Sequence, residues 1–319
     1  MNLQTKIPLK PNTNNQIDYN SKLVLLGSCF SENIGKKFEY FKFQKLQNPF
    51  GILFHPLAIE TLITNAINKK TYTDKDVFFY NERWHCYEAH SQMSNVSKDD
   101  LLHDLNSKIT ETYERLKDGS HLMITLGTAW VYRCIETNTV VANCHKVPQN
   151  KFVKELLSVQ EISESLNNVV NALQRVNSRL NIMFTVSPVR HIKDGFVENS
   201  QSKAKLIIAI HNVIKAGSVS SIGVYFPSYE IMMDELRDYR FYNEDMLHPS
   251  QIAINYIWER FVAVNISKES QQVMISIDRI QKSMSHRSFN PESKAHQIFL
   301  KALEAKKKEV SSMFSHLRF

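Results

Sequence analysis

The chain has 319 residues, with 39 Lys+Arg against 32 Asp+Glu and a formal net charge of +7. Only eight residues are glycine, about 2.5% where average usage is roughly 7%, which excludes collagen-like, linker-like and Gly-rich low-complexity classes. Apolar residues at 43% and charged residues at 22% fit a globular protein with a real core, and the length fits one large domain with an appendage, or two domains.

The first twenty residues are polar and lack the apolar stretch of a secretory signal. No run in the chain approaches the ~18 apolar residues of a membrane span. The four cysteines, Cys29, Cys86, Cys134 and Cys144, are sparse, so they are expected as reduced thiols of a cytoplasmic protein. Four short apolar runs predict buried strands: Leu23 to Leu26, Leu122 to Leu126, Ile182 to Val186 and Gly223 to Phe226. Continuous apolar runs suit parallel strands covered on both faces. Helical patterns fall between them, over 32–40, 56–69, 98–117, 159–176 and 200–215. Ser158 and Glu161 have the spacing of a capping box at the start of the fourth. Two stretches, 77–90 and 130–143, read as hairpins turning near Asn81-Glu82 and Thr137-Asn138. Strands alternating with helices predict a three-layer α/β/α architecture around a mostly parallel sheet.

The composition shifts after Asn265, so we divide the chain into 1–265 and a basic helical C-terminal extension, 266–319. That extension holds ten Lys+Arg and five Asp+Glu, hence five of the seven net charges. It predicts two helices, about 270–285 and 292–317, broken at Asn290-Pro291. An amphipathic pair of this kind packs on the main domain or on a partner, which makes a homo-oligomer through these helices one expectation. Nucleic acid bound through the basic tail is not the expected partner, and the remaining +2 over 1–265 says little about the substrate.

Two segments carry the chemistry. Gly27-Ser28-Cys29 ends a strand and opens a helix, where free N–H groups and the helix dipole favour a thiolate or an oxyanion. Asp245 and His248, three apart and just before Pro249 and a helix, suit a base whose tautomer is fixed by a carboxylate. Arg190 and His191 follow the third apolar run, at the strand end where open α/β sheets bind ligands. His85, Cys86 and His90, or Cys144 and His145, match no metal-ligand spacing, and no phosphate loop is present, so neither metal nor cofactor is expected.

Taken together, several motifs resemble the GSCFA family of the SGNH/GDSL hydrolase superfamily. They are Gly27-Ser28-Cys29-Phe30-Ser31, Asn48-Pro49-Phe50-Gly51, Leu126-Gly127-Thr128-Ala129-Trp130, Ser187-Pro188-Val189-Arg190-His191, Tyr225 to Glu230, Asp238 to Tyr242 and Asp245 to Pro249, spread over roughly 20–262. The resemblance implies a flavodoxin-like SGNH fold and an acyl-ester hydrolase or acyltransferase acting on a small-molecule or saccharide ester. By the hydrolase spacing Cys29 takes the nucleophile position, with Ser28 the alternative, His248 the base and Asp245 its orienting partner. Gly27, Gly51, Gly127 and Thr128 would line the oxyanion and substrate site, with Trp130, Arg190 and His191 around it. Ala129 departs from the pattern, standing where the hydrolases carry an oxyanion asparagine. That departure keeps a second reading open: a non-catalytic carbohydrate- or partner-binding module on the same fold.

Overall fold

The computed structural model describes residues 4–216 and 222–319. Residues 1–3 of the polar N-terminal stretch lie outside the described residues. Five strands form one parallel sheet in the order β2-β1-β5-β9-β10. They are β1 (Lys22–Gly27), β2 (Gln44–Gln47), β5 (His121–Leu126), β9 (Asn181–Val186) and β10 (Ile222–Tyr225). This is a doubly wound order, and the chain reverses direction across the sheet between β1 and β5. The register sets Gly27 beside Thr125, and Thr125 beside Thr185. The carboxyl ends of the three central strands are therefore level.

Alternate residues of those strands face opposite helical layers. Val24, Leu26, Ile124, Phe184 and Val186 point into a core with α2 (Pro56–Ile67), α3 (Lys98–Asp118), α4 (Val159–Val176) and α5 (Phe196–Ala216). Leu23, Leu25, Met123 and Met183 point into a second core with α1 (Cys29–Tyr40) and α7 (Gln251–Asn265). The predicted capping box is present at α4, where Ser158 and Glu161 satisfy each other's main-chain N–H groups. The hairpin of β3 (Phe78–Tyr80) and β4 (Arg83–His85) turns through Asn81 and Glu82, both at positive φ.

Three features differ from the sequence reading. The edge strand β2 was not anticipated, because Gln44-Lys45-Leu46-Gln47 is polar and only Leu46 is buried. The stretch 130–143 is more than a hairpin. Its strands β6 (Trp130–Cys134) and β7 (Val140–Val141) are joined by β8 (Phe152–Leu156), which pairs antiparallel with β6 along its whole length. A short helix α6 (Ser228–Glu230) runs into a π-helical turn over Ile231–Glu235.

The extension forms α8 (Lys268–Ser285) and α9 (Lys294–Met313). Met274, Ile277, Ile280, Leu303, Val310 and Leu317 are buried in the same core as Phe38, Trp258 and Phe261. One face of each helix is thus covered by this chain itself, while Ile275, Met284, Ile298, Leu300 and Met313 stay exposed. Among the described residues no helix is long and apolar enough to cross a membrane.

Candidate functional site

The site begins where β1 becomes α1. Gly27 has φ +134°, and a Cβ there would lie 2.1 Å from the Thr125 carbonyl oxygen, so only glycine fits. The Gly27 N–H donates to Asn48 Oδ1 at 2.9 Å, and the Ser28 N–H to Thr125 O at 3.0 Å. Ser28 is the N-cap of α1: it is fully buried, and its Oγ accepts the Phe30 N–H at 3.3 Å. Cys29 is the first helical residue and is only partly buried. It lines a cavity of about 900 Å³ together with Phe54, Trp130, Arg190, His191 and His248. Of the two adjacent candidate nucleophiles, the thiol therefore faces the cavity and the hydroxyl does not.

Burial pushes the Cys29 thiol up, and Glu32 adds to this. Lys203 and the N–H groups of Cys29 and Phe30 act the other way, favouring the thiolate. Lys203 lies on the inner face of α5 and is 1% exposed. Its Nζ donates to Gly127 O at 2.8 Å and Ser187 O at 2.7 Å, tying the ends of β5 and β9 together beneath the site. Among the described residues no carboxylate pairs with it. Burial lowers its value to about 7, while the nearby Cys29 raises it. The sequence reading missed Lys203. The signal was present in α5, where Lys203 falls on the same helical stripe as Asn199, Leu206, Ile210 and Val213.

The candidate base comes from the loop before α7. His248 Nδ1 lies 2.6 Å from Asp245 Oδ2. Asp245 Oδ1 accepts the main-chain N–H groups of Leu247 at 2.8 Å and His248 at 3.0 Å. These main-chain bonds, then the imidazole, hold the Asp245 carboxyl down at about 2. Met246 takes φ +57° so that the chain can fold around the carboxylate. Arg190 anchors this loop from β9: its N–H donates to Leu247 O at 3.1 Å and its Nη1 to Met246 O at 3.1 Å. The guanidinium is ringed by Phe196, Tyr239 and Tyr242 at 5.4–5.8 Å. Glu230, a conceivable partner for it, instead accepts from the Tyr225 hydroxyl.

The anticipated oxyanion donors are engaged elsewhere. The N–H groups of Gly127 and Thr128 both donate to Phe54 O, at 2.8 and 3.1 Å, and that of Gly51 donates to Asn48 O at 2.8 Å. The Thr128 hydroxyl lies 3.1 Å from Ser202 Oγ and accepts the Trp130 N–H at 3.0 Å. These main-chain N–H groups are taken up within the scaffold and offer the site no donor, two by the Phe54 carbonyl and one by that of Asn48. Trp130 lines the cavity, with its indole N–H donating to Glu198 O and Lys154 over its ring. His55 caps α2: its Nδ1 accepts from Ala58 and its Nε2 meets Val141 O, so it is held in a structural role. Among the described residues no group of three or more His, Cys, Asp or Glu converges to hold a metal ion.

Cys29 at the start of the first helix and His248, paired with Asp245 on the loop before α7, thus line one cavity. The model of the GSCFA family matches residues 22–261, three quarters of the chain, so the chain belongs to the GSCFA family. A second model, GSCFA domain protein, C-terminal domain, matches residues 277–319. No curated protein matches the chain.

Proposed function

We propose that the chain is an SGNH-like acyl hydrolase or acyltransferase in which Cys29 attacks an ester carbonyl and His248 serves as base and then acid. The observation that carries this reading is the shared cavity: the Asp245-held imidazole of His248 and the Cys29 thiol line the same space. A thiol raised by burial is not a standing thiolate, so it needs a base at the moment of attack. His248 removes the S–H proton as the sulfur–carbon bond forms and the carbonyl electrons move to oxygen. Collapse of that intermediate expels the alcohol, which takes the proton from His248, and leaves a thioester on Cys29. Water or an acceptor hydroxyl then repeats the sequence against the thioester. Asp245 holds the imidazole through Nδ1 and stabilises the cation formed. The order of the parallel strands supports a flavodoxin-like SGNH frame for this chemistry.

Exposure of wild-type protein and a Cys29→Ala variant to a panel of acyl esters, with intact-mass detection, tests the reading. A stoichiometric acyl adduct that maps to Cys29 supports it. Ester turnover that survives Cys29→Ala rejects it. The engaged N–H groups of Gly51, Gly127 and Thr128 favour the second reading, a binding module, and saccharide binding without any adduct is its signature.

A further inference from the structure

The spare polar group of the cavity is His191. Its Nε2 is buried, and among the described residues no partner lies within hydrogen-bonding distance of it. A buried polar atom left alone is costly, so it normally has a partner in some state of the protein. The main-chain N–H of His191 donates to Asn199 Oδ1 at 2.9 Å and holds the backbone there, and Phe54 meets the ring edge-on at 5.8 Å. Gly127 keeps the way open to the nucleophile turn: a Cβ there would fall 3.3 Å from His191 Nε2 and 3.3 Å from the Cβ of Ser28. His191 also lines the same cavity as Cys29 and His248. It stands beside Gly127, whose main-chain N–H, like that of Thr128, is engaged with Phe54 O.

We propose that His191, through Nε2–H, is the hydrogen-bond donor to the oxyanion formed when Cys29 attacks. The inference rests on the acyl-transfer reading above. Burial first, then Lys203 and His248, hold the imidazole down at about 3, so it is neutral at ordinary pH. A neutral imidazole donates a hydrogen bond without giving up its proton, which is what an electrophile for an oxyanion needs. It also avoids placing a second cation against Lys203.

The test compares two reactions of the same sulfur in the full chain. p-Nitrophenyl acetate acylates Cys29 through a tetrahedral oxyanion and releases p-nitrophenolate. Iodoacetamide alkylates Cys29 by displacing iodide at a saturated carbon, with no oxyanion. For His191→Phe, the acylation rate is expected to fall about 10²–10³-fold while the alkylation rate stays near that of wild type. His191→Gln, which keeps an N–H donor, should recover part of the loss. Equal acylation by wild type and His191→Phe overturns the inference alone. A parallel fall in both rates also overturns it, because it assigns His191 to holding Cys29 in place. Wild-type protein that is alkylated at Cys29 but never acylated there overturns the acyl-transfer reading, and this inference with it.

Discussion

Cys29 and His248 line one cavity, yet they are held by different kinds of structure. The turn at Gly27–Cys29 is locked by main-chain hydrogen bonds to β5 and by the Asn48 side chain, and it sits on the sheet between two cores. The 243–249 loop is largely exposed and is held by the Asp245 carboxylate, by one Asn243 N–H to His248 O bond of 2.8 Å, and by Arg190. A nucleophile is best carried by rigid elements, because misplacement by an ångström is costly. A base can ride on a loop if a partner fixes its ring. Apart from the thiol itself, damage to the first region should therefore appear as lost stability, and damage to the second as lost chemistry with the fold intact.

Substitutions can break this contrast, starting with the largest effect. Cys29→Ala should abolish the covalent adduct, whereas Ser28→Ala should keep it and lower stability by about 1 kcal/mol through the lost N-cap. Mass spectrometry and a denaturant melt read the two together, and an adduct lost in Ser28→Ala but kept in Cys29→Ala would reverse the assignment. His248→Ala should slow turnover by about 10²–10⁴-fold while the thermal midpoint barely moves. A large drop in the midpoint would show that the loop holds up the fold. Arg190→Lys, which cannot keep both the ring contacts and the Met246 carbonyl, should cost about tenfold in kcat with little change in stability.

The subtlest prediction concerns pH. The folded-state value of Lys203, about 7, lies below the ordinary lysine value of roughly 10.4. Between those limits the unfolded chain binds more protons than the folded one, so stability rises with pH across that window. Lys203→Met removes this contribution. Melts of both proteins at about pH 7 and about pH 9.5 should show wild type gaining on the variant as pH rises. A constant gap between them would place the ammonium in contact with solvent or with a counterion.

Legibility of the fold from sequence followed the locality of each feature. The α4 capping box and the turn at Asn81-Glu82 depend on residues a few positions apart, and both are present. The buried strands β1, β5 and β9 stand out because both faces are covered. β2 carries polar residues at its half-buried positions and β8 exposes Lys154, which hides them. In the site, Gly27-Ser28-Cys29 and Asp245-x-x-His248 are visible as motifs. Which of Ser28 and Cys29 faces the cavity depends on where α1 starts its first turn, and adjacent residues look alike until that is fixed. The engagement of Gly127 and Thr128 depends on the Phe54 carbonyl, far away in sequence, and no local pattern announces it.

The shared core beneath α1 has a consequence in time. Phe38 of α1 packs edge-on against Trp258 and Phe261 of α7, and Tyr19 stacks on Phe314 at 5.2 Å, while Leu303, Val310 and Leu317 close the same cluster. The helix that carries Cys29 leaves the ribosome well before the residues that complete its seat. At ordinary synthesis rates of about 5–20 residues per second, its apolar face and its thiol wait for neighbours far along the chain. The site is thus a late product of folding, assembled when contacts of long sequence separation finally close.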